Sequence, residues 1–427
     1  MSYSPTFYPS KPFVITAVIM LIIGSTLGSI WMMALYGIVL TEDLMNVVNI
    51  HRIVQFDGFL TLIIMGMSYL IVPRFRNISI PSVKIVYMSY VLMLMYIISS
   101  ITISSSGISQ DFSQFGSFIV GFFKVLAVGL FCLVMMLTLR IPPKLLRMAD
   151  YFIGISVVLF AALTVLQLFN YNTGSRDIQL WLMFPVLMIF GVEYKTLPSF
   201  IGFIWPRKTP SIVSAILLTL AVVFGLINYF DFDNAFIRTL FHLSFLVGAI
   251  CFAWALNIFA GFDTSKIMQL SIGEKKARYK FTLVIARLSY TFLLTGIILS
   301  ITSIYLPGFF VVYDMWIHVI AIGFIGLTIA LYLPLLLAPI LGRTVRFLHF
   351  NKFPIWLIII SLGLRGVGDI FVQGTSHADE ISYEYMVIPL SLSGWMIVAA
   401  IISFIVMIRK SMNISTKFFA EDGTTAL

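Results

Sequence analysis

Of 427 residues, 60% are hydrophobic and 11% are charged, against roughly 25% charged in a soluble globular chain. So few charges cannot coat a water-facing surface, and lipid must solvate much of the molecule. The formal charge of +9 does not mark a nucleic-acid binder, because the positive residues sit in short loops between apolar runs instead of along one polar face.

Crossing the hydrocarbon core takes roughly 20 apolar residues as a helix. The first such run, Pro12–Tyr36, is longer than a signal-peptide core and lacks a small-residue cleavage pattern, so it reads as a retained span. Further runs follow near residues 50–73, 85–104, 113–139, 151–170, 178–203, 212–230, 236–260, 281–306, 315–341, 353–371 and 386–408. The sequence therefore predicts an all-α integral membrane protein of twelve helices, with residues 1–427 forming one polytopic domain. Cys132 and Cys251 both lie inside apolar runs, which implies neither a disulfide nor a thiolate metal site. The polar tail after Ile408 is expected to be mobile.

The loops sort by charge. Arg74, Arg76 and Lys84 follow span 2, Arg140, Lys144 and Arg147 follow span 4, and Arg207 and Lys208 follow span 6. Lys266, Lys275, Lys276, Arg278 and Lys280 follow span 8, Arg343, Arg346 and Lys352 follow span 10, and Arg409, Lys410 and Lys417 follow span 12. The opposite loops hold acids, among them Glu42, Asp43, Asp111, Asp177, Asp231, Asp233, Asp314, Asp379, Glu380 and Glu384. The positive-inside rule puts both termini in the cytoplasm of a cell (plasma) membrane protein. One missed span would invert the alternation downstream, so the charges also check the helix count.

Ionisable side chains at membrane depth are costly and usually face a cavity, a partner or a cofactor. His51 starts span 2, and His242 and His318 lie within two turns of the starts of spans 8 and 10. These spans run in the same direction, so the three imidazoles fall at similar depth near the outer face, about 1.5 Å per residue. They are candidate ligands to a haem or a metal held between helices. They can equally be interfacial residues satisfied by water, since polar residues collect at helix ends. His349 and His377 fall in loops and read as surface residues.

Gln55 lies at i+4 on the face of His51, and Asp57 lies nearly two turns below it. Arg365 on span 11 reaches the same leaflet, where it can pair with haem propionates, with Asp57, or in a structural ion pair. Lys124 is near the middle of span 4, Glu193 and Lys195 are in the inner half of span 6, and Arg287 is in the inner half of span 9, placed to snorkel. Such groups also suit a proton path or a transporter site.

The end of span 2, Gly66-Met-Ser-Tyr69 through Pro73 and Phe75, is echoed at the end of span 6 by Gly191-Val-Glu-Tyr194 through Pro198 and Phe200. Both fit G-x-x-Y-x-x-x-P-x-F, offset by four helices. A looser relative, Gly326 with Tyr332 and Pro334, ends span 10. Three pseudo-equivalent quartets of helices follow, with spans 2, 6 and 10 as counterparts.

The stretch from His51 through Gln55, Asp57 and Phe59 to Tyr69, Pro73 and Phe75 resembles span 2 of haem–copper oxidase and nitric oxide reductase large subunits. That resemblance implies three arcs of four helices, with His51 and His318 as ligands of a low-spin haem. Most of the chain is also similar to the NnrS family, twelve-helix haem- and copper-containing membrane proteins linked to nitric oxide metabolism. His51 matches the first histidine of that family's H-x-H-E, and Gly58-Phe59 its F-G-F; Ile53 and Val54 replace the second histidine and the glutamate, which leaves copper doubtful. Lys195 through Phe200 is similar to the family's R-V-x-P-x-F. His318, Gly323 and the closing Gly342-Arg343 match its span 10, and Arg365 and Trp395 fall where it places an arginine and a tryptophan.

The resemblance implies a haem-binding protein of nitric oxide tolerance, sensing or respiratory electron transfer, with His242 as a third ligand or a gate and with a redox partner or membrane complex. It does not imply a complete oxidase, because the further histidines of a binuclear centre are missing and independent catalysis is not expected. Two other readings remain at this point: a proton-coupled secondary transporter using Asp57, Lys124 and Glu193, and a non-catalytic subunit of a membrane complex.

Overall fold

The computed structural model describes residues 9–35, 44–105, 110–140, 147–169, 178–230, 234–260, 274–306, 310–333, 352–374 and 380–421. His349, His377, Gly342 and Arg343 lie outside them. The described chain contains twelve helices long and apolar enough to cross a membrane. They are α1 (Lys11–Leu35), α2 (Leu44–Arg52, continued by a π-helical Ile53–Thr61 and by Leu62–Phe75), α3 (Val83–Ser105), α4 (Gln110–Arg140), α5 (Met148–Phe169) and α6 (Ile178–Thr196, ending in π-helical Leu197–Ile201). Then come α7 (Lys208–Phe230), α8 (Ala235–Ala255), α9 (Glu274–Tyr305), α10 (Phe310–His318, continued by π-helical Val319–Gly326 and by α-helix to Leu333), α11 (Phe353–Gly374) and α12 (Glu380–Glu421). Helices satisfy every backbone donor within the segment, which hydrocarbon requires. After Ile408 the chain continues α12 to Glu421, consistent with the absence of glycine and proline between Arg409 and Glu421. Below, the proximal end of the bundle is the one nearest the N-terminus, and the distal end is its opposite.

Burial separates three helices from nine. In their most apolar windows 83% of α2, 83% of α6 and 61% of α10 are buried, against 28–50% for the others. These are the three counterparts in the sequence echo. α2 packs against α1, α3, α4 and α6, while α10 packs against α6, α9 and α11. The remaining helices follow one another around them, and α12 lies along α1.

The echo has a packing cause. A Cβ on Gly66 of α2 would come within 2.6 Å of the Phe13 Cβ of α1, one on Gly191 of α6 within 2.5 Å of the Ile153 Cγ1 of α5, and one on Gly323 of α10 within 2.8 Å of the Phe292 Cβ of α9. Each interior helix thus uses a glycine to seat the helix before it, the motif glycine in α2 and α6 but Gly323 in place of the motif's Gly326 in α10, the close approach that small residues allow in membranes. The tyrosines of the motif act alike too. Tyr69 bonds Ser89 of α3 (2.8 Å), and Tyr194 donates to Ser211 of α7 (3.2 Å). Interhelical bonds of this kind contribute roughly 0.6 kcal/mol each, so they set register more than they supply stability.

Candidate functional site

A cavity of about 700 Å³ lies between α1, α2, α10, α11 and α12 and also touches α6. His51, His318 and Arg365 all line it, with Gln55 and Asp314. The volume falls in the range of small-molecule and cofactor sites, about 300–1,000 Å³.

Both histidines are placed by π-helical turns. His51 lies two residues before the π segment of α2, and His318 is the cap residue of the one in α10. Such segments insert backbone into a helix and are frequent at functional sites. The His51 Nδ1–H donates to the Gly24 carbonyl of α1 (2.8 Å). The His318 Nδ1–H donates to the Asp314 carbonyl one turn earlier (2.9 Å) and lies 3.3 Å from its carboxylate. A carbonyl oxygen can only accept, so Nδ1 carries the proton in both rings and Nε2 carries the lone pair. Among the described residues neither Nε2 has a hydrogen-bond partner. The two rings lie within electrostatic reach of each other and of Arg365.

Helix α1 makes room for them. A Cβ on Gly28 would sit 2.7 Å from the His51 Cε1, and one on Gly24 would sit 2.8 Å from the Gln55 side chain. Gln55 in turn donates to Ser25 (3.3 Å). This glycine pair, one turn apart, is a cradle shaped to two named side chains. Sequence reading passed over it, although G-x-x-x-G is legible.

Of the readings open for Arg365, the structure shows a structural ion pair and no contact with Asp57. Arg365 makes a two-point bridge to Asp314, Nε–Oδ2 2.5 Å and Nη2–Oδ1 2.8 Å. Asp314, expected in an acidic loop, is a buried residue of α10, because the helix begins before it at Phe310. Asp369, fully buried one turn along α11, lies within electrostatic reach of both. The result is a chain of contacts from Arg365 through Asp314 to His318.

Asp57 faces away from this cavity. Lys124 of α4 bridges to it at 2.6 Å, Tyr96 of α3 donates to it (3.0 Å), and Lys124 also donates to Gln167 of α5 (2.8 Å) and stands 4.2 Å over the Trp181 ring of α6. Every member is buried or partly buried and partnered, the arrangement of a structural knot. Glu193 accepts from Tyr290 of α9 (2.5 Å) and lies beside Tyr332 of α10, which accepts from Thr196 (3.1 Å). Lys195 donates to the Phe75 carbonyl at the end of α2 (3.0 Å). Arg287, expected to snorkel, donates to the carbonyls of Ile258 (2.8 Å) and Ala260 in the turn that follows α8.

His242 is not brought to the cavity. It is buried on α8 against Ser300 of α9, whose hydroxyl lies 3.3 and 3.4 Å from its two ring nitrogens. Depth matched the other histidines, but α8 stands on the rim of the bundle. Among the described residues no three His, Cys, Asp or Glu side chains gather as a metal-ligand set. Trp395 is partly exposed and does not line the cavity.

No protein-family model matches the chain, and no curated protein matches its sequence.

Proposed function

We propose that this chain is a haem-binding membrane protein of the NnrS-like or oxidase-like kind, with His51 and His318 as the two axial ligands of one haem between α1, α2, α10, α11 and α12. The observation that carries the reading is a single cavity lined by two imidazoles, each with Nδ1–H held on a backbone carbonyl and Nε2 left as the lone-pair nitrogen. That is how proteins orient histidine ligands, fixing tautomer and ring plane from behind. Gly28 admits the His51 ring, and the Asp314 carboxylate adds electron density to His318. Arg365, anchored by Asp314, and Arg52 at the rim supply positive charge beside which haem carboxylates can lie.

A haem held by His51 and His318 would supply one-electron transfer, which supports a role in electron transfer, sensing or tolerance in respiratory or nitric oxide metabolism, with a redox partner at the distal face. No copper is assigned, since His242 stands apart with Ser300. The loop charges orient the chain in the plasma membrane with both termini cytoplasmic, which makes the distal end external.

The protein, purified after haem-replete expression, is expected to show a Soret band and a pyridine haemochrome of one haem per chain. A preparation free of both overturns the reading.

A further inference from the structure

The seam between α10 and α11 brings two carboxylates to one cation. Asp314 of α10 takes both arms of Arg365 and stands 3.3 Å from the His318 Nδ1. Asp369, one turn beyond Arg365 on α11, is fully buried, and among the described residues no donor reaches either of its oxygens. Its carboxyl group lies within hydrogen-bond reach of the Asp314 carboxylate. The helices packed on α11 bring no second cation to the pair. At this level α10 carries Tyr313, Asp314 and His318 as its titratable groups. On the other side α12 packs through Leu390, whose side chain would lie 2.5 Å from a Cβ on Gly368, and its described side chains from Ile388 to Ser393 are uncharged.

Two carboxylates in contact away from water do not both ionise when one cation serves them. A buried acceptor that meets no donor is costly as well. One proton removes both faults, because a protonated Asp369 is neutral and its O–H is a donor for the lone pairs that Asp314 still has. We propose that Asp369 binds one proton inside the membrane and donates it as a hydrogen bond to Asp314, latching α11 onto α10 beside the distal end of the cavity. The latch does not depend on the haem reading, since it needs only the two aspartates and Arg365. An aspartate of the unfolded chain is ionised at neutral pH, so the fold holds one proton more than the unfolded chain. The seam is therefore pH-sensitive, firm in acid and weakened as the medium turns alkaline.

The test compares the full-length protein, purified in detergent with whatever cofactor it carries, with Asp369→Asn. That change keeps the shape, and its amide N–H still donates to Asp314. The infrared spectrum of wild type minus variant is expected to hold a carboxylic acid C=O stretch that moves down in heavy water. Carboxylate bands in its place overturn the proposal and leave the haem reading standing. Equilibrium unfolding across neutral pH supplies the second readout. Relative to the variant, the folding equilibrium constant of wild type is expected to fall roughly tenfold per pH unit, the slope of one extra proton held by the fold. Parallel pH curves for the two proteins overturn the latch. Should the variant fail to accumulate, wild type grown on carboxyl-labelled aspartate decides. A carboxylic acid band that moves with the label supports the bound proton, and a spectrum without one overturns it.

Discussion

The two imidazoles at the centre of this account are controlled by their second nitrogens. His51 leans on a helical carbonyl of a neighbouring element, while His318 leans on its own helix and on a carboxylate that Arg365 holds in place. The two ends of the Arg365–Asp314–His318 chain should therefore respond in opposite directions. Asp314→Asn removes negative charge from behind a ligand and is expected to raise the haem reduction potential, read by redox titration. Arg365→Ala leaves a buried carboxylate without its cation and is expected to lower the potential and destabilise the fold by about 3–5 kcal/mol; equal potentials in the two variants would refute the coupling. Gly28→Leu, whose side chain meets the His51 ring, is expected to abolish haem retention while the protein still accumulates in membranes. At this scale the sequence discloses the two cavity histidines, because histidine is rare and costly in apolar runs, but it hides their partners. Asp314 reads as a loop acid when the helix edge is drawn a few residues late. The depth of His242 is legible and its lateral position is not, since depth along a helix says nothing about which neighbour the helix faces.

Among the elements, α2 is the one whose local geometry departs most from expectation. Its π-helical Ile53–Thr61 packs more residues into each turn than an α-helix, and Asp57, six positions after His51, leaves the face of that histidine. It turns toward α3 and α4, where Lys124 and Tyr96 fix it. Loss of one partner in a buried pair is far costlier than loss of both. Asp57→Asn and Lys124→Met are each expected to destabilise the protein by about 3–5 kcal/mol, and the double variant to recover most of that loss; additive losses in thermal unfolding would contradict a paired structural role. Gly191→Leu, which forces α5 off α6, is expected to cost about 1–3 kcal/mol or more by overpacking, visible as a lowered unfolding temperature. The repeat motif was legible because the same packing problem, one helix crossing close to the next, recurs in α2 and α6 and is solved both times with the motif glycine; α10 solves it with Gly323, outside its looser copy of the motif. The π segments were not legible, since no residue type is reserved for them.

For the whole molecule, apolar length and loop charge already dictate twelve helices and one membrane domain, because a bilayer imposes one thickness and one answer to unpaired backbone groups. The same charges predict that reporters fused after Arg140 and after Arg409 read as cytoplasmic and one fused after Asn170 reads as external; the reverse pattern would invert the site to the inner face. What composition could not give is the choice of the cleft between α1, α2, α10, α11 and α12, which depends on packing between segments hundreds of residues apart. The central claim is most directly tested by reduced-minus-oxidised optical spectra of His51→Ala, His318→Ala and His242→Ala beside wild type, at matched protein. Wild type and His242→Ala are expected to share one low-spin haem spectrum, and His51→Ala and His318→Ala each to lose it. A spectrum unchanged in both of those variants, or lost only with His242, would contradict the account.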